Sequence, residues 1–200
     1  MISIPQILGL SWLNTSSPTD YLQLLGIGAS GAFVAWKYSK EKRIERSAAG
    51  NQLISELESS EWLRLACQML DWTARRFLLP DEILKRRLPL MPDDKGNSEI
   101  LEHSTSKMLG ALKEKEKYNS DEVLYRDTFD SFLTWLDRLH SGLDSGIFSG
   151  NDVRPVAYYA QALLAPRHHG QEATTVIKGF IKNYYDLERF ELLRDRLTGR

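Results

Sequence analysis

The first 36 residues of this 200-residue chain contain a single charged side chain, Asp20, and a basic cluster follows them at once. The run from Tyr21 to Trp36 reads YLQLLGIGASGAFVAW and has an aromatic ring at each end, as is typical of the two interfaces of a bilayer. A long apolar stretch with a charged stop on one side predicts a transmembrane helix over 21–39. The basic stop consists of Lys37, Lys40, Lys42, Arg43 and Arg46.

The length of the apolar run is the main test of this interpretation. Sixteen residues of helix rise about 24 Å, which is less than the roughly 30 Å of a hydrocarbon core. The ammonium of Lys37 can reach the headgroups, and Tyr38 and Ser39 can lengthen the buried helix, so the span can still fit. A cleaved signal peptide and a buried helix of a soluble domain stay open as alternatives, although the first twenty residues lack the Lys and Arg of a signal peptide.

The glycines of the apolar run allow two interpretations. Gly26, Gly28 and Gly31 have the GxGxxG spacing of a dinucleotide-binding loop, which leaves nucleotide binding as an alternative function. That fingerprint requires a preceding strand and an acidic residue about 20 positions later, and the surrounding sequence offers neither convincingly. Small residues four apart, such as Gly28 and Ala32, instead favour close packing of two membrane helices. The candidate packing residues are Gly26, Gly28, Gly31 and Ala32.

Charge and cysteine content restrict the function of the remaining chain. The 27 acidic and 26 basic residues nearly cancel, so no overall field predicts a nucleic-acid partner or an acidic substrate. Cys67 is the only cysteine, which excludes an intramolecular disulfide, and its apolar neighbours predict a buried thiol in a reducing compartment.

Helical periodicity dominates after the basic cluster, and no period-2 run predicts a sheet. Ser60 is a candidate N-cap for a helix with a buried stripe from Trp62 to Trp72, and Ser98 is expected to begin another helix. Asn119 and Glu122 have the spacing of a capping box, ahead of a long aromatic and leucine stripe that should organise the core.

Two further helices are expected toward the carboxyl end, one capped by Asn151 and a last one with a bend near Asp186. The chain is therefore predicted to be all-α: a single transmembrane helix followed by a cytosolic bundle of about five helices. The predicted parts are an extracytoplasmic segment over 1–20, the membrane helix over 21–39, a juxtamembrane helical segment over 40–58 and a cytosolic helical domain over 59–200.

Two stretches, NQLISELESSEWLRLACQMLDW and YRDTFDSFLTWLDRLHSGLDSGIFSGNDVRPVAYYAQALL, carry a likeness to known sequences. They resemble a family of small bacterial proteins of unknown function that have an amino-terminal anchor and a helical cytoplasmic domain. The shared features, within residues 50–195, are the aromatic and leucine stripe, the turn at Gly146, Ile147 and Phe148, and a helix led by Asn151. The resemblance implies a shared fold and a membrane location, and it brings no catalytic residues.

No pattern in the chain predicts catalysis. His103, His140, His168 and His169 lack the spacing of a metal site, and the adjacent pair His168 and His169 is expected to be exposed. Asp137 lies three residues before His140 and could orient its imidazole, although ordinary helix pairing explains the spacing equally well. We identify no catalytic, cofactor or metal site, and a non-enzymatic role is favoured.

The expected function is therefore a single-pass membrane protein of the bacterial inner membrane that acts by binding another protein, as an adaptor, regulator or effector. Because Lys and Arg are retained on the cytoplasmic side, its amino terminus should lie outside and its carboxyl domain inside. The expected partners are membrane lipid and either another protein or a second copy of the chain. An oligomerising effector that perturbs the bilayer when triggered is an alternative.

Overall fold

The computed structural model describes residues 18–87 and 99–199, with side chains over 33–85 and 99–199. Within these ranges the chain is mostly helical, which confirms the all-α class apart from one small sheet. The chain divides into two compact units, Met1–Glu45 and Arg46–Arg200.

The first helix, α1, spans Pro18–Ser59 and has 42 residues. The segments expected over 21–39 and 40–58 thus belong to one continuous helix. Among the residues described, no helix is long and apolar enough to cross a membrane. Most of the predicted membrane helix precedes Phe33, and the structure describes no side chains in that part of α1. The membrane anchor therefore stays a prediction.

Seven helices and two strands follow α1 in the described ranges, where about five helices were expected. The difference arises because the expected last helix is divided in two and because a short helix lies in the proline-rich connection after residue 79. In chain order the elements are α2 Glu61–Asp71, β1 Ala74–Leu78, α3 Asp81–Arg87, β2 Ile100–Ser104, α4 Thr105–Leu112, α5 Ser120–Asp144, a 3-10 turn Arg154–Val156, α6 Ala157–Leu164, α7 Gly170–Tyr184 and α8 Leu187–Thr198.

Helix α5 organises the core, as its stripe predicts. Its capping box is present: the Asn119 side chain accepts from the Glu122 amide at 2.9 Å, and Glu122 accepts from the Asn119 amide at 3.1 Å. The aromatic residues of the stripe are buried completely, and α2, α4 and α8 pack around them. The fully buried members are Tyr125, Phe129, Phe132, Leu133, Trp135, Leu136 and Leu139.

The expected helix beginning at Ser98 is wrong, because β2 occupies Ile100–Ser104 and pairs antiparallel with β1. Phe77 and Leu101 are partners in the register, and both are buried. Each strand has only five residues and few inward side chains, so the period-2 pattern is too short to recognise. Ser104 instead caps α4 by accepting from the Lys107 amide at 3.2 Å.

The region after α5 is also built differently from expectation. Asn151 caps no helix, because α6 begins at Ala157 after the 3-10 turn. The neighbouring Asp152 fixes the loop instead, accepting from the Ser149 amide and from the Ser47 hydroxyl, both at 2.9 Å. The expected bend near Asp186 is confirmed, since α7 ends at Tyr184 and the Asp186 side chain caps α8 through the Glu188 amide at 3.0 Å.

Candidate functional site

The described part of α1 carries exposed apolar side chains ahead of its basic cluster. Phe33 is 61% exposed and Trp36 57%, and Val34 and Tyr38 are exposed to a similar extent. Successive helical residues are about 100° apart, so these four side chains spread widely around the axis and form no single buried stripe. These four side chains therefore lie exposed on more than one side of the helix.

All five basic residues predicted to lie at a membrane surface are exposed: Lys37, Lys40, Lys42, Arg43 and Arg46. Two of them stack on aromatic rings of the same helix. The Lys40 ammonium lies 5.2 Å from the centre of the Trp36 ring, and the Lys42 ammonium lies 4.8 Å from that of Tyr38. Cations and rings thus occupy one level of α1, as in an interfacial belt.

The glycines singled out from the sequence lie in the same helix. Helix α1 contains all four predicted packing residues: Gly26, Gly28, Gly31 and Ala32. The structure describes no side-chain surroundings before residue 33, so their role in helix packing stays a prediction. A GxGxxG loop needs a strand and a tight turn before its helix. The continuous helix over Pro18–Ser59 offers neither, and the nucleotide alternative gains no support.

A pocket of about 320 Å³ lies in the unit Arg46–Arg200. Three pieces of chain line it: the last turns of α1, one face of α2, and the 3-10 turn with the start of α6. The α2 residues recur at positions 64, 67, 68 and 71, which places them along one side of that helix. The lining residues are Ile54, Leu57, Glu58, Arg64, Cys67, Gln68, Asp71, Pro155, Val156 and Tyr159.

Asp71 is the most connected polar group of this pocket. Tyr158 donates to its Oδ1 at 2.9 Å and Tyr159 to its Oδ2 at 3.5 Å, and the two tyrosine rings meet edge to face with centres 5.1 Å apart. Burial, with the charges of Cys67 and Asp71, raises the pKa of Tyr159 to about 12. Both phenols are therefore neutral donors near neutral pH, and the carboxylate is held in one orientation.

Cys67 lies one turn before Asp71 and is 6% exposed, which confirms the predicted buried thiol. Burial, and then the charge of Asp71, raises its pKa to about 12. The nucleophilic form of cysteine is the thiolate, so this thiol is unreactive at neutral pH.

Two buried histidines fix the end of α2 from the other side. His103 Nε2 lies 2.7 Å from the Trp72 carbonyl, and His169 Nε2 lies 2.9 Å from the Leu70 carbonyl. A carbonyl only accepts, so both Nε2 atoms carry hydrogen and the Nδ1 atoms of the neutral rings accept. With these tautomers the Tyr125 hydroxyl donates to His103 at 3.1 Å. The Thr105 hydroxyl lies 3.2 Å from the Thr73 carbonyl and 2.7 Å from His169, and it gives its one hydrogen to His169 because the Thr105 amide already donates to that carbonyl.

Burial lowers the pKa of both His103 and His169, and it outweighs the bonds to the carbonyls, which act the other way. We name this arrangement the histidine clamp: His103, His169 and the two carbonyls that they hold. The expectation that His168 and His169 are both exposed is half wrong, because His168 is exposed and His169 is buried. Their adjacency in a turn does not reveal which ring points inward.

His140 pairs with a different carboxylate from the one expected. Its Nδ1 lies 3.0 Å from Asp144 Oδ2, whereas Asp137 binds Arg189 at 3.1 Å. The other ring nitrogen of His140, Nε2, is buried and has no hydrogen-bond partner among the described residues. The described ranges also contain no group of three or more His, Cys, Asp or Glu that could hold a metal ion. The pair His140–Asp144 links one turn of α5 to the next.

Sequence reasoning missed the pocket and the histidine clamp. The polar positions Arg64, Gln68 and Asp71 interrupt an otherwise buried helix at i, i+4 and i+7, and this is the signal that could have indicated a pocket wall. Comparison with protein-family models, with curated proteins and with solved structures finds no match to this chain, and the family resemblance therefore stays a resemblance.

Proposed function

We propose that this protein is a membrane-associated helical interaction protein. In this proposal α1 attaches the chain to an anionic membrane surface and continues into the bilayer as a single span, with the unit Arg46–Arg200 on the cytoplasmic side. The observation that carries the proposal is the set of exposed apolar side chains from Phe33 to Tyr38, next to the basic cluster. Removing such side chains from water is favourable, and lipid tails provide the apolar environment.

The basic cluster supports a preference for anionic lipid. A Lys or Arg near an anionic leaflet contributes about 1 kcal/mol, so five of them are worth up to about 5 kcal/mol at low salt. Salt screens this attraction, whereas burial of Trp36 or Phe33 in the bilayer is insensitive to salt. The two contributions can therefore be separated by ionic strength.

An exposed aromatic patch on the second unit supports the interaction role. Trp72 is 47% exposed and Tyr158 44%, and the Arg75 guanidinium stacks 4.4 Å from the centre of the Trp72 ring. Trp, Tyr and Arg are the residues that most often dominate the binding energy of protein interfaces. We propose that this patch contacts the protein partner.

Vesicle flotation of the full-length chain tests the membrane proposal. The chain should float with vesicles of phosphatidylcholine and phosphatidylserine and should resist extraction by alkaline carbonate, as a spanning protein does. A variant with Lys37→Glu, Lys40→Glu and Arg43→Glu should lose the preference for phosphatidylserine over pure phosphatidylcholine. The matched control, Lys117→Glu with Lys182→Glu, changes exposed charges elsewhere and should keep that preference.

Three results decide between the parts of the proposal. Release by high salt or carbonate would show a peripheral helix and overturn the single span. Recovery of the detergent-free, unaggregated chain at the bottom of the gradient with both vesicles would overturn membrane association altogether. If Trp72→Ala and Tyr158→Ala leave every co-purifying protein in place, the proposed partner surface is wrong.

A further inference from the structure

The pocket beside α2 combines an apolar wall with a polar end. Ile54, Leu57, Pro155 and Val156 provide aliphatic surface, and Asp71 with Tyr159 provides the polar end. A volume of about 320 Å³ is at the small end of the range of ligand pockets. A pocket of this size and lining suits a small molecule with an apolar body and one polar head.

The charges around the pocket indicate the sign of that head. Three lining side chains are charged at neutral pH, and the two carboxylates of Glu58 and Asp71 outnumber the guanidinium of Arg64. Arg64 and Asp71 are seven residues apart on α2, which separates them by about 10 Å along the helix. Among the lining side chains, the Asp71 end is therefore anionic, and the buried thiol of Cys67 adds no charge there. Arg167 is close enough to Tyr158 to act on its pKa, but it does not line the pocket.

Asp71 still has the capacity to accept. Each of its oxygens receives one tyrosine hydroxyl, at 2.9 Å and 3.5 Å, and each carboxylate oxygen offers about two acceptor positions. Because Tyr158 and Tyr159 hold the carboxylate in place, a ligand does not have to order it. A protonated amine beside a fixed carboxylate and the Tyr159 ring gains charge-assisted hydrogen bonds and cation–π attraction.

We propose that this pocket binds a small organic amine, with its ammonium group on Asp71 and Tyr159 and its apolar body against Ile54 and Val156. This inference is independent of the membrane proposal, since every residue of the site lies within the unit Arg46–Arg200.

Calorimetric titration of the full-length chain with three matched probes tests the inference: phenethylammonium, 2-phenylethanol and 3-phenylpropanoate. Their apolar bodies are alike and their heads are cationic, neutral and anionic. Phenethylammonium should bind about tenfold more tightly than the alcohol, which is about 1.4 kcal/mol, and the anion should bind most weakly. The full-length chain is titrated in detergent micelles, and the same titration is made with empty micelles. If the empty micelles give the same ranking of the three probes, the binding belongs to the detergent and the inference is overturned.

Three variants locate the site. Asp71→Asn keeps an acceptor for Tyr158 but removes the charge, so it should bring the amine within about twofold of the alcohol. Glu82→Gln removes an exposed carboxylate outside the pocket and should keep the tenfold preference. Ile54→Trp should fill the pocket and abolish binding of all three probes. Equal binding of amine and alcohol by the unsubstituted chain, or an unchanged preference in Asp71→Asn, would overturn the inference.

Discussion

Acidification should destabilise this protein through the histidine clamp before its carboxylates begin to titrate. His103 and His169 are 3% and 8% exposed, and each ring uses both nitrogens in hydrogen bonds. When His103 is protonated, both ring nitrogens donate, so the Tyr125 hydroxyl, which accepts from the Ser104 amide, can accept from the ring but can no longer donate to it. The ring then carries a charge that burial keeps from water, and this is the cost of protonating the clamp.

The sign of the effect follows from the lowered pKa values. The unfolded chain binds a proton on each histidine below about pH 6.5, whereas the folded chain does so only at lower pH. Between the two values the unfolded state holds more protons, so the free energy of unfolding falls as the pH falls. Above pH 6.5 the two histidines contribute their full stabilisation. Below the pKa values of the folded state both states hold the protons, and the free energy of unfolding stops falling.

The size of the effect has a simple ceiling. One histidine that is protonated only when unfolded changes the free energy of unfolding by about 1.4 kcal/mol per pH unit, and two change it by about 2.7 kcal/mol per pH unit. The histidines of the unfolded chain are only partly protonated just below pH 6.5, so we expect a slope of about 1–2 kcal/mol per pH unit there.

Urea unfolding of the full-length chain at a series of pH values measures this slope. Replacing His103 with Gln and His169 with Asn removes both titrating groups and should flatten the curve, even if it lowers stability at neutral pH. His168→Asn is the matched control, because His168 is exposed and next to the clamp, and it should leave the slope unchanged. A flat curve for the unsubstituted chain, or an unchanged slope in the double variant, would refute the reasoning.

Two substitutions test the packing of α5. Asn119→Ala breaks the capping box and should lower the free energy of unfolding by about 1 kcal/mol, whereas the exposed Asn183→Ala should change it little; equal losses in urea melts would contradict the cap. In Gly142→Ala the new methyl group would overlap the buried Phe148 ring, which should cost about 1–3 kcal/mol. Gly179→Ala, at an open helical position, should instead stabilise by about 0.5–1 kcal/mol, and a gain at both glycines would show that Phe148 moves freely.

Elements with long periodic stripes could be predicted from the sequence, and short elements could not. Helix α5 repeats its aromatic and leucine spacing over about five turns and begins at a capping box, so several local signals agree. Strand β2 has one fully buried apolar residue, Leu101, in five positions. That stretch acquires its structure from pairing with β1, which no local pattern encodes.

The candidate pocket depends even more on distant residues. Asp71 and Tyr159 are 88 residues apart, and Ile54 belongs to a third element. From the sequence, Tyr158 and Tyr159 are an ordinary aromatic pair, and Asp71 is an ordinary helix-terminal acid. Only the packing of α2 against α6 makes them one polar site. The basic cluster of α1, by contrast, is local in sequence and can be recognised directly.

The pocket and the histidine clamp meet at three consecutive residues. The carbonyls of Leu70 and Trp72 are held by the two neutral imidazoles, and the side chain of Asp71, between them, is held by the two tyrosines. Protonation strengthens the Nε2–H bonds to these carbonyls but places a charge on two buried rings, and the cost of burial prevails. The charge of Asp71 favours protonation of His169, and an ammonium group on Asp71 offsets that charge, so by linkage the bound amine opposes protonation of His169. The acid sensitivity of the fold and the selectivity of the pocket thus arise from the same end of α2.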